Sequence, residues 1–318
     1  MITVQSETLD IATITLNPAV DRTVTISNFT AGAVNRVEAS QDTPGGKGVN
    51  VASVLADYGL RAGVTGFLGR DNAASFEALF ARKKIEDHFI RIAGRTRAGI
   101  KIADPVRALT TDINFPGLAP ISADIAALQE TLANLISAWW VVAGSIPPGL
   151  DPGIYRDIIA ALKSRGARLV LDASGEALRL AIQSRPHIVK PNLDELQTLL
   201  GKPLTDTKTI VAAAKELLAT GIEMVVISMG SQGACFLSAT DAVIARSPDV
   251  AVRSTVGAGD AMVAGIVAAQ IRGLPLADCA RLASAFSLQF LTRAGLQSQP
   301  ALKEAMDQIT VETVPFSS

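Results

Sequence analysis

The sequence predicts an α/β protein: a doubly wound, mostly parallel sheet flanked by helices, carrying a small antiparallel β lid. Three observations predict it. Short β-branched runs alternate with longer stretches of helical spacing along most of the 318 residues, as strand–helix–strand units do. Alanine and valine are abundant while aromatic residues make up only 4%, which suits strands buried on both faces. Two segments break the pattern. Residues 22–37 and 96–116 alternate polar and apolar side chains around turn residues such as Gly32 and Asp104-Pro105, which fits a half-exposed antiparallel patch outside the core.

Taken in order, the runs 11–16, 62–67, 139–143, 168–172, 187–190 and 224–228 read as buried strands. Between them, 48–58, 72–84, 123–137, 152–164 and 207–219 have the spacing of amphipathic helices, and 261–271 is a helix of small apolar residues. Ligands of such sheets bind beyond the carboxyl ends of the strands. Both alternating segments follow core elements whose ends face that side, so together they are expected to form a lid. No linker, charge run, low-complexity tract or repeat divides the chain, and residues 1–318 read as a single domain.

Composition narrows the function. The chain holds 29 basic and 30 acidic residues, without the basic excess that a nucleic-acid surface needs. Cys235 and Cys279 are far apart, lack zinc spacing, and read as reduced core thiols. Mean hydropathy is positive at +0.32, yet the most apolar stretches, 132–146 and 261–271, are interrupted and shorter than a bilayer span. With no basic-then-apolar leader in view, a soluble cytoplasmic protein is expected, with no membrane partner.

The most telling stretch is Ser254-Thr255-Val256-Gly257-Ala258-Gly259-Asp260. Its small residues let the amides of 257–260 point together at a helix start, where the helix dipole favours an anion. A carboxylate in that turn would repel a merely bound anion. It makes sense if Asp260 takes a proton from a hydroxyl while the amides hold charge on a phosphoryl group. The segment alone fits equally well an N-cap aspartate behind a glycine turn.

Other segments follow the same logic, each with an ordinary alternative. Asp21, in Asn17-Pro18-Ala19-Val20-Asp21, offers two acceptor oxygens for sugar hydroxyls at the end of the first strand, or is a surface turn residue. In Gly45-Gly46-Lys47-Gly48-Val49-Asn50 the glycines expose bare backbone beside a lysine, or only make a turn. Gly48 follows Gly46-Lys47 where a Walker A loop has Ser or Thr, and no dinucleotide fingerprint is present. Arg95-Thr96-Arg97, with Lys101 nearby, can fork onto phosphate or lie solvated. Ser145, in Gly144-Ser145-Ile146-Pro147-Pro148-Gly149, can donate to a ligand at a strand end. Asn192 and Glu195, after Lys190-Pro191, have capping-box spacing, and an acidic residue there can also organise Mg²⁺ through water. Ser228-Met229-Gly230-Ser231-Gln232-Gly233 reads as a strand–turn–strand open to a nucleotide. Trp139, Trp140, His88 and His187 read as structural.

Together these segments resemble the phosphofructokinase-B family of sugar kinases, within the ribokinase superfamily, along nearly the whole chain. Both family signatures stand in order: the loop Gly45 to Asn50 with Gly59 beyond it, and Ser254 to Asp260 followed by small residues through Gly265. Finer likeness to the hexose-phosphate branch lies in Thr15-Leu16-Asn17-Pro18-Ala19, Gly66-Phe67-Leu68-Gly69, Arg95-Thr96-Arg97 and Thr111-Asp112-Ile113-Asn114-Phe115. Thr43 and Ala261 depart from frequent family residues. The resemblance implies a ribokinase-like fold and ATP-dependent phosphorylation of a ketohexose phosphate, fructose 1-phosphate first, with fructose 6-phosphate or tagatose 6-phosphate as alternatives. It implies Asp260 as base and Gly257, Ala258 and Gly259 as anion hole. Asp21, Gly45, Gly46, Lys47, Asn50, Arg97 and Ser145 would meet the sugar phosphate. Lys190, Asn192, Ser228, Gly230 and Gly233 would line the nucleotide, with Glu195 supporting Mg²⁺ and no dedicated protein metal site. Lids of this family often pair, so a homodimer through the lid is expected. A nucleoside or vitamin kinase, or a sensor that has lost catalysis, would share the fold.

Overall fold

The computed structural model describes residues 8–107, 109–251, 256–293 and 295–315. Ser254 and Thr255 of the second signature lie outside them. Among the described residues the large sheet has ten strands. In spatial order these are β14 (Thr310–Thr313), β13 (Ala242–Arg246), β12 (Ala234–Ser238), β11 (Met224–Ser228), β10 (Ile188–Val189), β9 (Arg168–Asp172), β8 (Ser137–Ala143), β1 (Leu9–Thr15), β4 (Ala62–Gly69) and β5 (Glu86–Ile92). All pairs from β11 to β5 are parallel, and the three pairs from β11 to β14 are antiparallel.

Alternate residues of the parallel strands feed two separate cores, as a period of two requires. Ile11, Val141 and Val170 face one side, packed with α1 (Lys47–Tyr58), α2 (Ala74–Lys83), α8 (Ala258–Ile271), α9 (Leu276–Arg293) and α10 (Gln299–Asp307). Ala12, Val142 and Leu171 face the other, with α3 (Ser122–Asn134), α4 (Ile154–Ser164), α5 (Gly175–Ala181), α6 (Leu193–Leu200) and α7 (Thr207–Leu218). The sheet is therefore doubly wound. Helix α8 is buried on every side along most of its length, and its alanines and glycine permit that. A Cβ on Gly265 would stand 2.5 Å from the Ala283 Cα of α9.

The smaller sheet has the order β3 (Ala39–Gly45), β2 (Ala19–Thr25), β6 (Arg97–Asp104), β7 (Leu109–Asn114). Its outer pairs are antiparallel and its central pair, β2 with β6, is parallel. β6 and β7 fall within the second alternating segment. The first segment holds the end of β2 and the connection after it, while the partner strand β3 begins only at Ala39. Its own core is small: Val24, Ile26 and Ile102, with Phe29 and Ile100 against them.

The chain leaves β1 for β4 on one side and later returns to β8 on the other. Strand order reverses at β1, so the crevice beyond β1 and β8 is where a ligand belongs. The smaller sheet hangs there, since β2 follows β1 after Leu16, Asn17 and Pro18. Trp139 and Trp140 are core residues, and both cysteines are free and buried. His187 accepts the Leu169 amide on Nδ1 at 3.0 Å, a structural role. No helix among the described residues is long and apolar enough to cross a membrane.

Candidate active site

Helix α8 starts behind Gly257, whose φ of +77° is left-handed and favours glycine. The amides of a first helical turn lack partners within the helix, and here that turn holds Ala258, Gly259 and Asp260. Asp260 is not the cap, because Gly257 occupies that position. Its Oδ2 instead accepts a 2.7 Å hydrogen bond from Asn50 Nδ2, out of α1. Burial, then the nearby Asp172 carboxylate, push the Asp260 carboxyl up to about 6, against the pull of Lys47, Asn50 and Lys190. A buried carboxyl so tuned is suited to proton abstraction near neutral pH.

Asp260 looks into a cavity of about 480 Å³. Its walls bring together Asp21, Gly46, Lys47, Asn50, Arg97, Ser145, Gly257 and Asp260, along with Asn17, Lys101, Asp112 and Asn114. The smaller sheet supplies its roof. Asp21 stands opposite Gly99 across β2 and β6, and a Cβ at Gly99 would come within 2.6 Å of Asp21 Oδ1. A Cβ at Gly45 would meet Asp21 Oδ2 at 2.5 Å. Gly45 therefore makes room for the Asp21 carboxylate, which is a structural reason for that glycine. Lys101 Nζ lies 3.7 Å from both Asp21 Oδ2 and Asp112 Oδ1. Burial raises the Asp21 carboxyl above the ordinary range, with Lys101 and Arg97 opposing it.

Gly46 has a φ of +120°, and a Cβ there would lie 3.0 Å from Pro18 Cα. The chain thus passes from β3 to α1 in one residue, placing Lys47 at the helix head. Lys47 Nζ is 2.9 Å from Asp172 Oδ1, and Lys190 Nζ is 3.5 Å from the same oxygen. Lys47 is thus paired with a carboxylate while it lines the cavity. Arg97 is also tied down: it donates to the Phe115 carbonyl at 2.9 Å and to the Asn17 carbonyl at 3.3 and 3.4 Å. Asn17 in turn donates to Ser145 Oγ at 3.1 Å and to the Pro116 carbonyl at 3.0 Å.

The remaining candidates sit on two neighbouring strand ends. Lys190 follows β10. Asn192 and Glu195 form the reciprocal capping box of α6, with both bonds at 2.8 Å, so the ordinary reading of that pair is realised. Ser228 bridges to Asn192 across the strand ends. Gly233 has a φ of +89° and a Cβ there would meet the Ala245 carbonyl at 2.1 Å, whereas Gly230 has open space around it. Asn17, Lys101 and above all Asp172 are site residues to which sequence reasoning gave no firm role. In the sequence Asp172 shows only as a carboxylate closing a buried strand, and the two lysines that meet on it come from distant segments.

This combination of a switch-point crevice, a small roofing sheet and a buried carboxylate at a glycine-led helix start defines a phosphoryl-transfer enzyme of the ribokinase type. The chain matches the family described as pfkB family carbohydrate kinase over residues 5–303, and it belongs to that family. It is 47% identical over 313 residues to a 1-phosphofructokinase of Rhodobacter capsulatus, covering 97% of this chain and 99% of the relative. A 1-phosphofructokinase of Escherichia coli strain K12 is 35% identical over 311 residues, covering 96% and 99%. Among solved structures, phosphofructokinase-2 from Escherichia coli in complex with substrates and products superposes with a TM-score of 0.88 at 28% identity, covering 94% of this chain and 99% of that one.

Proposed function

We propose that this protein transfers the γ-phosphoryl group of ATP to fructose 1-phosphate, giving fructose 1,6-bisphosphate. The observation that carries the reading is Asp260, a buried carboxyl at the head of α8 that shares one cavity with Lys47, Arg97 and Lys101. Above about pH 6 it is ionised. Asn50 engages Oδ2, which leaves Oδ1 to take the proton of the sugar's free primary hydroxyl. The hydroxyl oxygen attacks the γ-phosphorus in line as its bond to the β–γ bridging oxygen breaks and ADP leaves, while the amides at 258–260 hold charge on the transferring group. Asp21 and Asn114 would meet ring hydroxyls, and Arg97 and Lys101 the existing phosphate. Lys190, Asn192, Ser228 and Gly230 would line the nucleotide phosphates.

Mg²⁺ would reach the site on ATP and neutralise charge between its outer phosphates. Among the described residues no three His, Cys, Asp or Glu side chains converge as a metal cage. Mg²⁺ keeps much of its hydration shell, and Glu195 would support it through water. We place the smaller sheet as a lid over the sugar, and as the contact of a homodimer. Val34, Val106 and Leu109, on or beside it, are 89%, 62% and 61% exposed. Two buried free thiols fit a reducing cytoplasmic setting.

A ketohexose ring is nearly two-fold symmetric, so turning it over exchanges phosphate and reacting hydroxyl. Fructose 6-phosphate and tagatose 6-phosphate are therefore the competing substrates. Comparing kcat/KM for these three sugar phosphates and free fructose decides the matter. Fructose 1-phosphate should lead, and free fructose should trail. A leading 6-phosphate would reassign the substrate, and a leading free sugar would remove the phosphate role from Arg97 and Lys101.

A further inference from the structure

One carboxylate joins the two sides of the site and belongs to neither the base nor the anion turn. Asp172 closes β9 at 1% exposure, and a carboxylate that deep persists as an anion only when countercharges meet it. Two do, from different elements: Lys47 at the head of α1 and Lys190 just past β10, both on Oδ1. Its main chain is committed as well, since the Asp172 carbonyl accepts from the Gly144 amide at 3.0 Å, next to Ser145. The two lysines face different ways. Lys47 lines the sugar cavity. Lys190, only 5% exposed, reaches toward the head of α8, its Nζ 4.0 Å from where a Cβ on Gly259 would lie.

We propose that Asp172 is a positioning residue for phosphoryl transfer: it pins Lys47 on the sugar side and Lys190 beneath the anion-binding turn, so that both ammonium groups stand beside Asp260 without pairing with it. The inference rests on the kinase reading above. Lysine is a compact charge on a flexible four-carbon stem. An unpinned lysine here would fold onto the nearest carboxylate, which is the base. The groups facing Asp260 are Asp172 from β9, Lys47 and Asn50 from α1, and Lys190 after β10. Glu195 from α6 acts on Lys47, and Tyr155 from α4 lies near Asp172. Burial opposes charge on Asp172, yet Lys190 and Lys47 outweigh it and hold its carboxyl below the ordinary range.

The test uses Asp172→Asn and Asp172→Glu in the full chain, with two readouts. Carbon-13 NMR of labelled aspartate follows the Asp260 titration in the unliganded protein, where no turnover is needed. Steady-state kcat with fructose 1-phosphate is measured at pH 8.5, where Asp260 is ionised in every variant. Asp172→Asn should lower the Asp260 titration by about one unit or more, as lost anionic repulsion and a freed lysine both act that way. At pH 8.5 its kcat should still fall on the order of ten- to a hundredfold, because the lysines are misplaced. Asp172→Glu should regain part of both. An unmoved Asp260 titration, or a wild-type kcat at pH 8.5, overturns the proposal. If Asp172→Asn does not fold, Asp172→Asn/Lys190→Met removes one buried charge of each sign. Against Lys190→Met alone, it must show the same two changes or the proposal fails. A wild-type protein inert on every sugar phosphate would instead defeat the kinase reading, while the titration still reports on Asp172.

Discussion

Replacing Asp260 with asparagine should abolish most activity and make the protein more stable, and the gain should depend on pH. The Asp260 carboxyl is raised from 3.8 to about 6 in the folded state, roughly two units, and each unit corresponds to about 1.4 kcal/mol. The folded protein thus binds this proton more tightly than the unfolded chain does. The stabilisation from that proton is fully present below pH 3.8 and is lost as pH rises through about 6. Asparagine, neutral at every pH, keeps the burial without the charge and still offers Asn50 an acceptor oxygen. Its advantage over wild type should grow from near zero at pH 4 to ~3 kcal/mol above pH 7. Urea unfolding of both proteins at pH 4, 5, 6, 7 and 8 measures the difference, and steady-state assays measure kcat, expected to fall roughly 10²–10⁴-fold. A stability difference that does not change with pH would refute a buried, charged Asp260. Near-normal turnover would refute its role as base.

Three further outcomes follow from the same geometry. In the wild type, kcat should fall as pH drops through about 6, because the base is then protonated; a profile flat down to pH 5 contradicts this. Arg97→Ala should raise KM for the sugar phosphate about ten- to a hundredfold, the worth of one charge-assisted hydrogen bond, with KM for ATP nearly unchanged. A change confined to ATP would move Arg97 to the nucleotide side. The smaller sheet, with its five-residue core, should exchange amide hydrogens faster in the empty protein than with fructose 1-phosphate bound; equal exchange at saturation would make it a fixed interface, not a lid.

Much of the fold was legible because buried parallel strands announce themselves. Residues 168–172 and 224–228 are strands over those very residues, each a short apolar run ending in a polar residue. Strand β3 was not legible, since Ala39–Gly45 is exposed at five of its seven positions and carries no apolar period. The edge strand β5 hid in the same way behind Glu86, Asp87 and His88. Within the site, glycine turns and the Asp260 signature stood out because their residue types are unusual for their positions. Asp172 did not, because only the third dimension shows that two lysines, 125 and 18 residues away in sequence, meet on it. At Gly45 and Gly233 the structure adds a packing reason that the sequence does not show, as each makes room for a neighbouring protein atom.

The Asn50–Asp260 bond has a consequence for how the protein is made. Its partners are 210 residues apart, and the helix bearing the carboxylate is the inner layer of one core as well as the carrier of the proposed base. A growing chain would have the roof, Lys47 and all the strands of the parallel part of the sheet before α8 emerges. It would then lack both Asp260 and the wall on which α1 packs, leaving an apolar face open to chaperones and aggregation. No partial fold is a partial enzyme. With Asp260 in its proposed role, phosphotransfer would appear only once the core is complete, and the first turnover by a nascent or refolding molecule would mark the moment its distant segments have met.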